Sequence, residues 1–342
     1  MEEKLILELR NLSISLKIDD NYLPIVKDVD LKVCNGKVLA IVGESGCGKS
    51  VMASSILRLL PRELKIVQGE ILFHAQEEDH PVDIARLNPK GKEIRKIRGG
   101  KIAMIFQEPM SSFSPLHTIG NQIMEVIQLH KNESKLNART RTIELLKKVG
   151  IGHPQKAVDR YPHTFSGGMR QRAMIARALS CDPAILIADE PTTALDVTIQ
   201  AQVLRVMKQL QKEYGTGIVF ITHNLGVVAQ MADEVAIMYM GQIVEQGTVI
   251  EILKTPQHPY TKNLLKAVPQ LGDLEAQKRL HPIKGSVPSL FGRPRGCAFH
   301  PRCQEMIKGV CDQKDPISRK LSESHIISCF QNENRSFQEQ KK

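Results

Sequence analysis

Gly43-Glu44-Ser45-Gly46-Cys47-Gly48-Lys49-Ser50 lies between an apolar run, Leu39–Val42, and a helix-period segment, Lys49–Leu60. No other stretch of the chain restricts its fold as sharply. Glycines let a backbone curl until its N–H groups converge on an anion at a helix N-terminus, where the macrodipole adds positive potential. In this pattern Lys49 is placed to reach the β- and γ-phosphates of a nucleotide, and the Ser50 hydroxyl to ligate Mg²⁺. A Gly-rich turn matches by chance on the order of once in a hundred chains, before the strand–loop–helix context is required. Residues 43–50 are therefore read as a phosphate cradle. Cys47 is expected there only as a small residue whose thiol would make the loop sensitive to oxidation.

Around that loop, short aliphatic runs alternate with helical periodicity over roughly the first 250 residues. Strands are expected at Leu39–Val42, Ile71–Phe73, Ile102–Phe106, Ile185–Ala188, Ile218–Thr222 and Val235–Tyr239, several of them apolar on both faces as buried parallel strands are. Helices are expected at Lys49–Leu60, Thr198–Tyr214 and Asn224–Met231. This is α/β architecture. Residues 110–180 have another texture: Ile119, Ile123, Val126, Ile127 and His130 share one helical face, and Ala138–Val149 repeats the pattern with no strand between. A helical subdomain is expected there. Beyond His258-Pro259-Tyr260 the chain turns Pro-, Gly- and Cys-rich. The expected organisation is a nucleotide-binding domain over 1–255, a small irregular Cys-rich extension over 256–330 and a disordered tail over 331–342.

Composition removes other classes. The chain has 342 residues, enough for one large domain and an appendage. Its longest apolar runs, such as Ala184–Ala188 and Val235–Met240, fall far short of the ~20 residues that span a bilayer. The acidic start, Met1-Glu2-Glu3-Lys4, lacks the basic-then-apolar order of a signal peptide, so the chain is expected to stay in the cytoplasm. Seven cysteines, an odd number, argue against a disulfide framework. Four of them, Cys297, Cys303, Cys311 and Cys329, fall within 33 residues and suggest a metal. Residues 255–342 carry 15 Lys+Arg against 8 Asp+Glu, so +7 of the total +10 lies there. That surface suits nucleic acid, anionic lipid or an acidic partner, or is simply a solvated face.

Two further segments carry chemistry. Ile185-Leu186-Ile187-Ala188-Asp189-Glu190 is an apolar strand ending in two carboxylates; Asp189 suits a Mg²⁺ shell, and Glu190 can polarise a water in line with the γ-phosphate. Phe165-Ser166-Gly167-Gly168-Met169-Arg170-Gln171-Arg172 opens a helix with bare N–H groups, a second anion site. This segment resembles the signature of ATP-binding cassette (ABC) ATPases, usually Leu-Ser-Gly-Gly-Gln, with Phe165 and Met169 departing at the flanks. Gln107, Ala194-Leu195-Asp196 and His223 follow in the family's order. The resemblance implies a P-loop ABC ATPase core that takes ATP and Mg²⁺. It also implies that Gln107 links Mg²⁺ and attacking water to the helical subdomain, that Asp196 lies in a dimer-contact loop and that His223 touches the γ-phosphate. Ser166, Gly167 and Gly168 would face the nucleotide of a second ATPase subunit, homologous or identical. The family places an adenine-stacking aromatic upstream of the phosphate loop; Tyr22 is the candidate, with an ordinary surface tyrosine as its alternative.

Other stretches narrow the likeness: Ile105-Phe106-Gln107-Glu108-Pro109-Met110, His258-Pro259-Tyr260-Thr261, Gly285-Ser286-Val287-Pro288-Ser289-Leu290 and Gly296-Cys297-Ala298-Phe299-His300-Pro301-Arg302-Cys303. Together they look like the ATPase subunit of oligopeptide, dipeptide and nickel importers. Spacing alone leaves zinc and a [4Fe–4S] cluster equal at the four cysteines, with His300 and His325 as substitute ligands or exposed histidines; the resemblance favours the cluster. It also implies two membrane permease subunits, an extracytoplasmic solute-binding protein acting indirectly, and a peripheral position on the cytoplasmic face of the membrane. Peptides, nickel or metal chelates, and oligosaccharides are the solutes it allows. The rival is a soluble ABC ATPase acting on nucleic acid or ribosomes. A single cassette, no long insertion between Gly48 and Ser166 and only 14 Phe+Tyr speak against it.

Overall fold

The computed structural model describes residues 4–75, 80–107, 112–193, 195–267, 283 and 285–331. Two long antiparallel strands open the chain, β1 (Leu5–Ile18) and β2 (Asn21–Cys34), turned at Asp19-Asp20 with Asp19 in the left-handed region at φ 50°. Neither is among the expected strands. With β4 (Leu64–Phe73) and β5 (Val82–Asp83) they form a sheet of order β2-β1-β4-β5, antiparallel throughout. The run Ile71–Phe73 therefore belongs to this smaller sheet and not to a buried parallel one.

The second sheet has order β11-β12-β10-β9-β3-β8-β7-β6. Its parallel part is β3 (Val38–Val42), β6 (Ile102–Ile105), β7 (Ile185–Asp189), β8 (Gly217–Thr222) and β9 (Glu234–Tyr239). β10 (Gln242–Thr248) folds back antiparallel on β9, and two short strands from the C-terminal segment, β11 (Arg319–Lys320) and β12 (Ile326–Ile327), continue on its free edge. The extension thus grows out of the main sheet through β12.

Helices among the described residues are α1 (Lys49–Ile56), α2 (Lys92–Ile97), α3 (Ile119–Lys131), α4 (Lys135–Lys148), α5 (Pro154–Ala157), α6 (Gly167–Ala178), α7 (Val197–Tyr214), α8 (Leu225–Met231), α9 (Val249–Lys254) and α10 (Pro259–Lys266). α1 ends four residues before the expected Leu60, because Arg58 turns into the left-handed region at φ 55°. α3 and α4 start on Thr118 and Ser134, whose hydroxyls each accept a backbone N–H of the first turn. Ile119, Ile123 and Ile127 are fully buried, whereas Val126 and His130 of the same stripe line a surface groove.

Alternate residues of the parallel strands fill different cores, as a period of two dictates. On β7, Ile185 and Ile187 pack with Leu39, Ile41 and Met52 toward the antiparallel sheet; Leu186 and Ala188 pack toward α3, α4, α6 and α7. A third core gathers Ala40, Val42, Tyr239, Tyr260, Ala298 and Phe299. Each large side chain buried there contributes roughly 1.5–3 kcal/mol. Residues of α10 and of the Cys-rich segment are thereby fixed beneath β3, directly before the phosphate loop. No helix among the described residues is long and apolar enough to cross a membrane. Apart from Gln331, the expected tail 331–342 lies outside the described residues.

Candidate nucleotide-binding site

The phosphate loop leaves β3 at Val42 and enters α1 at Lys49. Only glycine suits position 43, since a Cβ there would stand 2.2 Å from the carbonyl oxygen of Met238; Gly48 holds φ 102°. Lys49 is buried, and its Nζ donates to the carbonyls of Gly43 at 2.8 Å and Glu44 at 3.0 Å. The ammonium is thus drawn into the bend of the loop, where a phosphate would meet it. Burial pushes the Cys47 thiol up in pKa, with only partial relief from Lys49, which makes it a poor thiolate.

A cavity of about 540 Å³ opens over the loop. Ser45, Gly46, Gly48, Lys49 and Ser50 line it together with Gln107 and Glu190, so the phosphate loop and the acidic strand end converge on one space. Its apolar wall includes Leu16, Ile25 and Leu290. Tyr22 lies near the turn of the β1–β2 hairpin, about half exposed, and does not line this cavity. Leu290, from the C-terminal segment, was not anticipated; nothing in its spacing ties it to a loop some 240 residues upstream.

The acidic pair divides its labour. Asp189 is nearly buried; burial raises its pKa and a hydrogen bond from Ser50 opposes the rise. Its Oδ1 has no hydrogen-bond partner. A buried carboxylate oxygen left bare beside a serine hydroxyl is costly unless a cation completes it, so Asp189 and Ser50 fit Mg²⁺. Glu190 turns the other way, with its backbone in the left-handed region at φ 45°. Its carboxylate meets His223 Nδ1 at 3.1 Å and accepts from Thr193 Oγ1 at 2.9 Å and Gln107 Nε2 at 3.3 Å. Burial pushes this carboxyl up in pKa, yet the bonds from His223 and Thr193 outweigh it and leave Glu190 lowered, hence ionised. Asp189 and Glu190, Gln107, His223 and residues 43–50 are therefore gathered at the carboxyl ends of β3, β6, β7 and β8.

Ser166, Gly167 and Gly168 are not part of that assembly. They start α6, with Ser166 Oγ accepting from Met169 N at 3.3 Å, and Ser166 and Gly167 are exposed. Gly168 is buried against Ile199, whose Cγ2 would stand 2.6 Å from a Cβ at that position. Asp196 caps α7 through Ile199 N at 2.9 Å; Ala194 lies outside the described residues, as do Glu108-Pro109-Met110.

In the C-terminal segment each of the four clustered thiols receives a backbone N–H. Phe299 and His300 donate to Cys297, Glu305 to Cys303, Gln331 to Cys329, and Ile307 to Cys311 at 3.3 Å. Burial pushes Cys297 up to about 11 and Cys329 up to about 12, and raises Cys303. All four lie close enough to influence one another electrostatically. Yet among the described residues no three His, Cys, Asp or Glu side chains are gathered tightly enough for one metal ion. That arrangement supports neither expectation for the four cysteines, zinc or cluster. His300 Nδ1 is 3.0 Å from the carbonyl oxygen of Cys297, and His325, which is buried, has Nε2 2.8 Å from Glu245 Oε1.

Fold and site define an ATP-binding cassette. The chain matches the "ABC transporter" family over residues 26–193 and the "Oligopeptide/dipeptide transporter, C-terminal region" family over 244–311. It is 45% identical to a putative peptide import ATP-binding protein of Brucella ovis, covering 96% of this chain and 98% of that one. It is 47% identical to the dipeptide transport ATP-binding protein DppD of Bacillus subtilis, over 97% and 96%. Among solved structures it resembles the dimeric cassette MJ0796 bound to ADP and Pi (TM-score 0.61, 27% identity, 71% of this chain and 99% of that one). Likeness to cbiO1 of Clostridium perfringens is similar (TM-score 0.62, 27% identity, 77% and 96%). The chain belongs to the ABC transporter family, in its oligopeptide/dipeptide branch.

Proposed function

We propose that this chain is the ATP-hydrolysing subunit that powers uptake of peptides through a membrane permease complex. The observation that carries the reading is the convergence of Lys49, Ser50, Gln107 and Glu190 on one cavity, with a bare Asp189 oxygen beside Ser50. Backbone N–H groups of residues 44–50 and the Lys49 ammonium would hold the β- and γ-phosphates. Glu190, kept ionised and oriented by His223 and Thr193, accepts a proton from water as its oxygen attacks the γ-phosphorus; the bond to ADP breaks and phosphate leaves. Mg²⁺ held by Ser50 and Asp189, with Gln107 at its edge, would supply charge neutralisation on the phosphates.

Ser166, Gly167 and Gly168 lie outside the cavity of their own chain, which supports a composite site closed by a second ATPase subunit. ATP between two subunits would bias an open–closed equilibrium, the motion a transport cycle uses. A groove of about 520 Å³ between β6, α3 and α6, edged by exposed Leu59 and Phe106, is the candidate seat for a permease loop and would keep the chain peripheral at the membrane. The named relatives are transport ATP-binding proteins, which favours the transport reading over the nucleic-acid rival that the basic extension also suited.

We further propose that Cys297, Cys303, Cys311 and Cys329 hold a [4Fe–4S] cluster, whose thiolates the four sets of N–H donors would stabilise. Bound there, it would cross-link the irregular extension. Co-purification from membranes with two permease subunits tests the transport reading; recovery with ribosomes or DNA would overturn it. Anaerobic purification should give a brown protein with about four irons per chain; stoichiometric zinc without iron would refute the cluster.

A further inference from the structure

Glu44, the second residue of the phosphate loop, is gripped from the C-terminal extension. Arg302 Nη1 donates to Glu44 Oε2 at 2.7 Å and Nη2 to Oε1 at 3.1 Å, a bidentate pair between residues 258 positions apart. The Arg302 side chain is only 4% exposed and that of Glu44 26%. Arg302 also reaches the Tyr239 hydroxyl at 3.4 Å, and the backbone N–H of Glu44 donates to Tyr260 Oη at 3.1 Å. Tyr239, Tyr260 and Phe299 pack as one aromatic cluster beneath, with centroids 4.7–5.3 Å apart.

A carboxylate in a polyanion site is electrostatically adverse unless a cation neutralises it, and Arg302 is placed to do so. The same pair fixes the Glu44 backbone, whose carbonyl accepts from Lys49 Nζ at 3.0 Å. From the guanidinium to the phosphate-binding ammonium, the path runs through a single residue. Arg302 ends a short turn, His300–Arg302, whose neighbours are Cys297 and Cys303, so the set of the extension reaches the loop directly.

We propose that Arg302 is a positioning residue for nucleotide: by neutralising and orienting Glu44, it makes the affinity of the phosphate loop depend on the docked C-terminal extension. The inference rests on the nucleotide reading of that loop. Linkage makes the coupling reciprocal, so nucleotide on the loop tightens the extension by the same factor.

The test uses the full-length chain, a fluorescent ATP analogue and hydrogen exchange. Arg302→Met should weaken nucleotide binding on the order of tenfold, since it leaves a carboxylate unpaired beside the phosphates. Adding Glu44→Gln to that variant should restore most of the loss, a rescue that a purely structural role for Arg302 would not give. In the wild-type chain, ADP should slow exchange across residues 297–303. Should Arg302→Met fail to fold, that exchange measurement decides alone. An unchanged affinity in Arg302→Met, no rescue in the double variant, or exchange at 297–303 indifferent to ADP would overturn the proposal. If the wild-type chain binds no nucleotide, the reading of the loop falls, and this inference with it.

Discussion

His223 Nδ1 stands 3.1 Å from Glu190 Oε1, so the residues that directly follow β8 and β7 are joined side chain to side chain just past the strand ends. With Thr193 and Gln107 on the second carboxylate oxygen, Glu190 has its orientation set before substrate arrives. His223 is exposed and carries no part of the core. His223→Ala should therefore lower hydrolysis on the order of a hundredfold while ATP affinity stays nearly constant. Phosphate release and nucleotide titration, run on the same preparation, check the split; equal losses in both would argue against it.

Asp189 and Ser50 yield a prediction about metal removal. The bare Asp189 oxygen should be where the cation enters, so Asp189→Asn should abolish the gain in ATP affinity that Mg²⁺ gives the wild-type chain. Titration of ATP with Mg²⁺ and with EDTA measures it. A variant whose affinity still rises with Mg²⁺ would count against this site.

Buried His258 makes stability fall with acid. Burial lowers its pKa from 6.5 to about 3, and its Nδ1 accepts the Tyr260 N–H in the first turn of α10. The unfolded chain takes up this proton as pH drops through 6.5, and the folded chain resists until about pH 3. Stability is thus complete above 6.5 and is lost below it, by roughly 1.4 kcal/mol per pH unit. Denaturant melts from pH 7 to 5 should show this slope in the wild-type chain and a shallower one in His258→Asn, which keeps a side-chain acceptor at the cap.

Cys47 was expected to make the phosphate loop sensitive to thiol chemistry. Its burial and raised pKa predict the reverse: Cys47→Ser should leave the inactivation rate by an alkylating reagent at neutral pH unchanged. Protection by that substitution would show that the loop opens.

Some of this architecture is written locally and some is not. The loop 43–50, the acidic end of β7 and the helix opened by Ser166 are each short patterns with a physical meaning of their own, so they could be read from the chain and lie where such patterns belong. The pairing of β1 with β2 and β4 is not legible locally, because register shifts around Leu5–Leu7 and Leu9–Ser15 break the period of two and pairing partners lie in other strands. Leu290, Tyr260 and Arg302 escaped for a different reason: they act across more than 200 residues of sequence, Leu290 by packing against the core of the antiparallel sheet and Tyr260 by joining the core under β3, with Arg302 beside it. Conversely the four cysteines are visible as a cluster in the sequence, but the backbone N–H groups aimed at their thiols are not.

The central claim is that Glu190 serves hydrolysis and not nucleotide binding. Measured side by side, ATP affinity and steady-state phosphate release of the wild-type chain and Glu190→Gln, assembled with their ATPase partner subunit, test it directly. The account predicts undiminished affinity, an ATP-stabilised dimer and turnover lower by a hundredfold or more. Turnover equal to the wild type in that variant would contradict it.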